Sequence, residues 1–122
     1  MSLRFNIILI FVIYSIVLQA QVDEAFIKVQ DGLKQFDEGN YKEAIRSYNE
    51  ALKVNKLYEM ALYEKALALQ NLNKEREALK IARSLKRLNG SYTIDGLILE
   101  ADIYEKNEQK DKLIEVLKTA VK

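Results

Sequence analysis

Four residue types are absent from the 122-residue chain: cysteine, proline, histidine and tryptophan. Without cysteine there is no disulfide and no thiolate chemistry. Without histidine the chain lacks the base of a Ser-His-Asp triad, and both common zinc ligands are missing. A glycine-rich phosphate loop is also absent from the sequence. We therefore expect a protein that is not an enzyme, with no catalytic residue, no metal and no cofactor.

An excess of charge of one sign is missing as well. The chain has 19 basic and 18 acidic residues, for a formal net charge of +1. This balance argues against a broad nucleic-acid surface, so no nucleic-acid partner is expected. Basic residues do cluster between Lys74 and Arg87, without the interleaved aromatic residues that stack on bases. Such a run is typical of a solvated helix face, and otherwise suits an acidic or phosphate-bearing partner.

The first 20 residues form an apolar leader whose only charge is Arg4. An apolar run extends from Phe5 to Leu18, and the small residue Ala20 follows it. A basic start, a short apolar run and a small residue at its end are typical of a secretory signal peptide. We therefore expect residues 1–20 to be a signal peptide cleaved between Ala20 and Gln21. The mature chain would then be exported, to the periplasm or to the medium.

Two other interpretations of the leader remain open. Leu18 is larger than the residue usually found near a cleavage site, so an uncleaved signal anchor is the first alternative. Arg4 then favours a cytoplasmic N-terminus, which leaves the rest of the chain facing outward from the inner membrane. A membrane contact is expected only in this case. A buried core helix is the second alternative, which the apolar residues on every side of the run disfavour.

The remainder of the chain, residues 23–122, has a helical pattern that repeats. Amphipathic stripes begin at Ala44, Ala78 and Leu113, at intervals of 34 and 35 residues. A helix-turn-helix unit of this length is typical of a tetratricopeptide repeat. Six helices are predicted, near residues 23–38, 41–54, 57–72, 75–88, 93–106 and 109–121.

Individual residues strengthen this interpretation. The segment Gly39–Leu52 resembles the turn and second helix of a tetratricopeptide repeat, and Gly32 stands where that family has a small residue. The resemblance covers about residues 25–122, in units of about 25–58, 59–92 and 94–122. It implies an all-α fold, with three tandem helix-turn-helix hairpins forming a short right-handed α-solenoid with a concave face.

Asparagine and glycine mark the predicted turns, because both tolerate the left-handed backbone conformation. Within the three units we expect Gly39, Asn73 and Asn107 to adopt it. The pair Asn89-Gly90 is expected to end the second unit.

The resemblance also implies a function. In this family the first helix of each unit lines a concave groove, which binds a peptide or helix of a partner protein. The residues implied to face the groove are Phe26, Val29, Leu33, Phe36, Met60, Tyr63, Leu67, Gln70, Ile98 and Asp102, with Asp95 and Glu105 beside the last two. The groove would be apolar at one end and acidic at the other. Alternatively, Phe26, Leu33 and Phe36 belong to the core or are covered by the leader.

The last predicted helix leaves a second function open. Its apolar residues, among them Leu117 and Val121, could pair with another copy of the chain, or its lysines could simply solvate that end. The alternative to a groove-binding scaffold is therefore a structural repeat protein, anchored in a membrane or assembled as a homo-oligomer through this helix.

Overall fold

A computed structural model describes residues 3–121. The outermost residues of the predicted leader and repeat domain, Met1, Ser2 and Lys122, lie outside the described residues. Between them the chain forms six helices and no strand, so the predicted all-α fold is confirmed. The helices are α1 (Leu3–Asp37), α2 (Tyr41–Val54), α3 (Glu59–Asn71), α4 (Glu75–Leu88), α5 (Thr93–Lys106) and α6 (Lys110–Ala120).

Consecutive helices pack against each other along the chain. The pairs α1–α2, α3–α4 and α5–α6 form hairpins, while α3 packs on α2 and α5 packs on α4. A further contact joins α1 to α3. Because contacts are made chiefly between neighbours in sequence, the hairpins stack as a solenoid, as predicted.

The core consists of two clusters in which small residues let the helices approach closely. The first joins α1 and α2 to α3, and contains Ala25, Val29, Ala44, Tyr48, Ala51, Ala61 and Ala68. The second joins α3 and α4 to α5, and contains Ala66, Leu69, Ala78, Ala82, Leu99 and Ile103. Gly32 lies directly against the ring of Tyr48, where a Cβ atom would overlap the ring carbons. The first helix of each following hairpin thus covers the hairpin before it.

The three turns inside the hairpins share one geometry. The second residue after each first helix has a positive φ: Gly39 at 78°, Asn73 at 56° and Glu108 at 56°. The next backbone N–H then donates to a carbonyl of the preceding helix, at 2.8–2.9 Å. The expectations for Gly39 and Asn73 are correct, but that for Asn107 is wrong by one residue. Asn107 has φ −92° and lies at the helix end, because α5 runs to Lys106.

The boundary between the second and third hairpins also has the expected form. Asn89 follows α4 with φ 52°, in the left-handed conformation. The Glu59 carboxylate, at the start of α3, accepts a hydrogen bond of 2.8 Å from the backbone N–H of Tyr92, just before α5. This contact ties the starts of two successive first helices together.

Helix α1 differs most from the prediction. The expected helix 23–38 is the last part of a 35-residue helix that includes the described part of the leader. An 18-residue window of α1 has a mean hydropathy of 2.1, and none of it is buried. The interpretation of the leader as a core helix is therefore wrong. By length and composition α1 could cross a membrane, and a signal sequence would have the same properties.

Candidate functional site

The predicted groove residues of the first hairpin divide between surface and core. Phe26 is exposed, with 47% of its surface accessible, whereas Leu33 and Phe36 are partly buried against the first core cluster. Val29 is fully buried in that cluster. It packs between α1 and α2 and cannot contact a partner, so the expectation that Val29 lines the groove is wrong. The leader does not fold back over these residues, because it continues α1 as one unbroken helix.

In the second hairpin, Tyr63 lies on the side of α3 that faces the start of α5. Its ring is 5.4 Å from that of Tyr92 between centroids, with the planes tilted by 42°. Burial raises the pKa of Tyr63, and the negative charges of Asp95, Glu64 and Asp102 raise it further. The two tyrosine rings therefore lie among carboxylates from both α3 and α5.

A carboxylate from the first hairpin belongs to the same region. Burial raises the pKa of Glu64, and the charge of Asp37 at the end of α1 adds to the shift. We refer to Asp37, Glu64, Asp95 and Asp102, together with Tyr63, as the acidic surface. Sequence reasoning predicted an acidic end for the groove but missed Asp37 and Glu64. Only the packing of α3 on the first hairpin brings these two charges close together.

The other predicted residues of α3 contribute less to this surface. Met60 and Leu67 are half-buried, packed against the first and second core clusters respectively. Gln70 is also half-buried and lines a small polar cleft near Asn73 and Lys106. These three side chains therefore contribute more to packing within the fold than to an exposed surface.

In the third hairpin, the predicted residues Ile98 and Asp102 lie at the edge of an apolar cavity. The cavity is between α5 and α6 and has a volume of about 360 Å³. Its walls include Leu97, Ile98 and Ala101 from α5, and Leu113, Val116 and Leu117 from α6. Asp102 and Glu105 supply charge at its rim. Ala101 therefore lines open space here.

The basic run of α4 has a structural partner that its sequence does not reveal. Glu100 of α5 is 4% exposed, and its carboxylate accepts hydrogen bonds from Lys86, Arg83 and the hydroxyl of Tyr104. Arg83 Nε lies 3.0 Å from Glu100 Oε1. Two of the cations interpreted as a solvated face, Arg83 and Lys86, thus hold α4 against α5.

The residues of the predicted cleavage site, Ala20 and Gln21, lie in the exposed part of α1. They precede the first buried residue of the helix, Ala25. The packed part of the fold therefore begins C-terminal to the predicted signal peptide.

A comparison with known families agrees with this architecture. The family described as "Psidin, N-terminal TPR repeats region" matches residues 28–122, which is most of the chain and covers α2 to α6 with the last part of α1. No curated protein matches the sequence. Repeats of this kind generally mediate protein–protein interactions and are typically non-catalytic. The chain therefore belongs to the tetratricopeptide repeat proteins, in the family of the Psidin N-terminal repeat region.

Proposed function

We propose that this protein is a non-catalytic interaction module that binds a peptide or helix of a partner protein along α1, α3 and α5. The observation that carries the proposal is the acidic surface. The charges of Asp95, Glu64 and Asp102 raise the pKa of Tyr63, and the charge of Asp37 raises that of Glu64, so the second hairpin is linked to carboxylates of both the first and the third.

The chemistry of this surface suggests the kind of segment it binds. Clustered carboxylates attract lysine and arginine side chains and repel acidic segments, which contributes to selectivity and to the rate of association. Tyr63 and Tyr92 offer flat, partly buried rings, and tyrosine is enriched among the residues that dominate binding energies. Exposed Phe26 provides an apolar contact on the first hairpin. We therefore expect a basic segment with apolar or aromatic anchors.

A photo-crosslinking amino acid in place of Tyr63 tests this proposal in the full chain inside cells. We expect it to form a discrete covalent adduct that mass spectrometry identifies as a protein with a basic segment at the crosslink. The same amino acid in place of Arg46, which is 76% exposed on α2, serves as the control position. An identical adduct from both positions would contradict binding along the first helices.

Charge substitutions make the same experiment specific. The double variant Asp37→Lys with Glu64→Gln should strongly reduce the adduct at position 63. Asp31→Lys with Glu24→Gln, on an exposed part of α1, makes the same charge change outside the acidic surface and should preserve the adduct. Equal yields from these two variants would remove the electrostatic basis of the proposal.

The location we propose is outside the cytoplasm. The basic residue, apolar run and small residue of the leader support export, with cleavage after Ala20 as the leading form. A membrane-anchored module is the second candidate, and a specific observation favours it. Helix α1 continues without a break from the apolar leader into the first core cluster. If the leader is retained, the first hairpin would therefore be held close to the membrane surface by a continuous helix.

A further inference from the structure

The third hairpin differs from the first two in what covers it. Ala61 and Ala68 of α3 complete the first core cluster, and Leu99 and Ile103 of α5 complete the second. Within residues 3–121, no helix occupies the corresponding position on the third hairpin, and the cavity between α5 and α6 lies there instead. Ile98 and Leu117 at this cavity are 53% and 51% exposed. The position is therefore an apolar site shaped by the repeat to receive a helix.

The charge around this cavity indicates what kind of helix fits. Two carboxylates, Asp102 and Glu105, lie among its lining residues, which include no lysine or arginine. A matching helix would combine an apolar edge with lysine or arginine side chains next to it, because such charges would meet the two carboxylates.

Helix α6 itself has this composition. Ile114, Leu117 and Val121 are 49%, 51% and 89% exposed, and their spacing of three, four and seven residues puts them along one edge. Lys110 and Lys118 are each four residues from Ile114, and Asp111 is three residues from it, so two lysines and one aspartate lie next to this apolar edge. Their summed charge is positive. The chain thus carries both an acidic, apolar cavity and a basic, apolar helix edge.

We propose that the α5–α6 cavity binds helix α6 of a second copy of this chain, and that the two copies form a two-fold symmetric dimer. In such a dimer the same patch is used on both sides, so each α6 edge enters the cavity of the other copy. The lysines of each α6 then approach Asp102 and Glu105 of its partner. Ile98 and Asp102 become dimer contacts, which leaves Phe26, Glu64 and Tyr63 for a different protein.

Charge reversal on each side of the proposed contact tests the dimer directly. The acid-reversed variant carries Asp102→Lys with Glu105→Lys, and the lysine-reversed variant carries Lys110→Glu with Lys118→Glu. The full chain is purified in detergent, and the protein mass of each complex is measured by analytical ultracentrifugation across a concentration series. We expect the unaltered chain to dimerise. Each variant alone should dimerise about tenfold more weakly or worse, because like charges then meet at both of the symmetry-related contacts.

Mixing the two variants provides the decisive comparison. Both sets of contacts are again between opposite charges in the mixed pair, so a heterodimer should form with close to the original affinity. A control with Glu24→Lys and Asp31→Lys makes the same charge change as the acid-reversed variant, but on exposed positions of α1, and should leave the dimer intact. Circular dichroism of every variant establishes that the helices are retained.

Several results would overturn the proposal. We take a dissociation constant of about 100 μM as the weakest dimer of interest. If the unaltered chain is still a monomer at about that concentration or above, the dimer is excluded. A dimer that neither reversal weakens would be formed by another surface, such as the apolar part of α1. If the two mixed variants do not form a heterodimer, the proposed contacts between the lysines of one copy and the carboxylates of the other are excluded. Asp102 also belongs to the acidic surface, but the lysine-reversed variant alters no residue of that surface, so this variant tests the dimer independently of partner binding.

Discussion

At the scale of single residues, Glu100 is the charged residue buried most deeply in the part of the chain that the structure describes. Its carboxylate is nearly inaccessible, yet it is held by two cations of α4 and by the Tyr104 hydroxyl. Burial by itself would raise the pKa of Glu100, but the hydrogen bonds from Lys86 and Arg83 outweigh burial and lower it. A buried ion pair of this kind joins two hairpins, and loss of one partner leaves uncompensated charge behind.

The lowered pKa has a consequence for stability against pH. Because the folded pKa lies below the ordinary value of 4.5, the ionised carboxylate stabilises the fold above that pH. The contribution is lost as the pH falls through the lower, folded pKa. We expect Glu100→Gln to cost about 2 kcal/mol of unfolding free energy at neutral pH and less in acid.

Urea unfolding of the full chain, at neutral pH and below pH 4.5, measures this difference. Glu115→Gln is the matched control, since Glu115 lines the same cleft but is exposed, and its effect should be small at both pH values. A constant gap between Glu100→Gln and the unaltered chain across the pH range would contradict the assignment.

Gly32 is the second residue whose role follows from a specific contact, the close approach of α1 to the ring of Tyr48. In an exposed helix, Gly→Ala would stabilise by about 1 kcal/mol. Here the added methyl group would overlap the ring of Tyr48, which is fully buried, and overpacking of this kind costs about 1–3 kcal/mol. We therefore expect Gly32→Ala to lower the unfolding free energy.

A double-mutant cycle with Tyr48→Leu isolates the cause, because the flat ring is then absent. Gly32→Ala should be less harmful in that background. Equal costs in both backgrounds, measured by urea unfolding, would mean that contact with the Tyr48 ring is not responsible.

At the scale of elements, the hairpin turns show how one backbone geometry tolerates different residues. The left-handed position is Gly39 in the first turn, Asn73 in the second and Glu108 in the third. Glycine adopts this conformation freely and asparagine tolerates it, but for glutamate it is strained. The third turn therefore keeps the shared hydrogen bonds at a conformational cost.

This cost predicts a stabilising substitution. Glu108→Gly should raise the unfolding free energy by about 1 kcal/mol, because the left-handed strain disappears. Asn107→Gly, one residue earlier at φ −92°, has no such strain to relieve and should give no increase. Thermal unfolding of the two variants beside the unaltered chain makes the comparison. An equal or larger gain from Asn107→Gly would show that the strained position is misidentified.

At the scale of the whole molecule, the fate of the leader decides where the repeat domain works. We expect the chain, expressed with its leader in a cell with an export pathway, to be recovered as a soluble species whose intact mass begins at Gln21. The apolar run and the small residue at position 20 are the reason, since they match the requirements of signal cleavage. Mass spectrometry of soluble and membrane fractions provides the measurement.

Ala20→Leu serves as the matched variant, because a large residue at the predicted cleavage point should block processing and retain the chain in the membrane. If the unaltered chain already keeps its leader and stays in the membrane fraction, cleavage is contradicted. The anchored form, with α1 as one continuous helix, then becomes the better description.

Much of the fold follows from local sequence pattern alone. The spacing of apolar residues three and four apart defines the helices, and its recurrence at intervals of 34 and 35 residues defines the hairpins, since both depend only on neighbours along the chain. The small residue Gly32 stands where the family has one, and the apolar residues on every side of the leader disfavoured a core position for it. Each of these features is visible without knowing how the hairpins stack.

Only the tertiary structure decided which of these residues remain available to a partner. Val29 is buried because α2 packs on that side of α1, and Arg83 and Lys86 are engaged because Glu100 lies opposite them on α5. The acidic surface and the α5–α6 cavity likewise depend on distances between separate helices. Periodicity along one helix shows which side chains share a face, but the stacking of hairpins determines whether that face meets a helix, a charge or solvent.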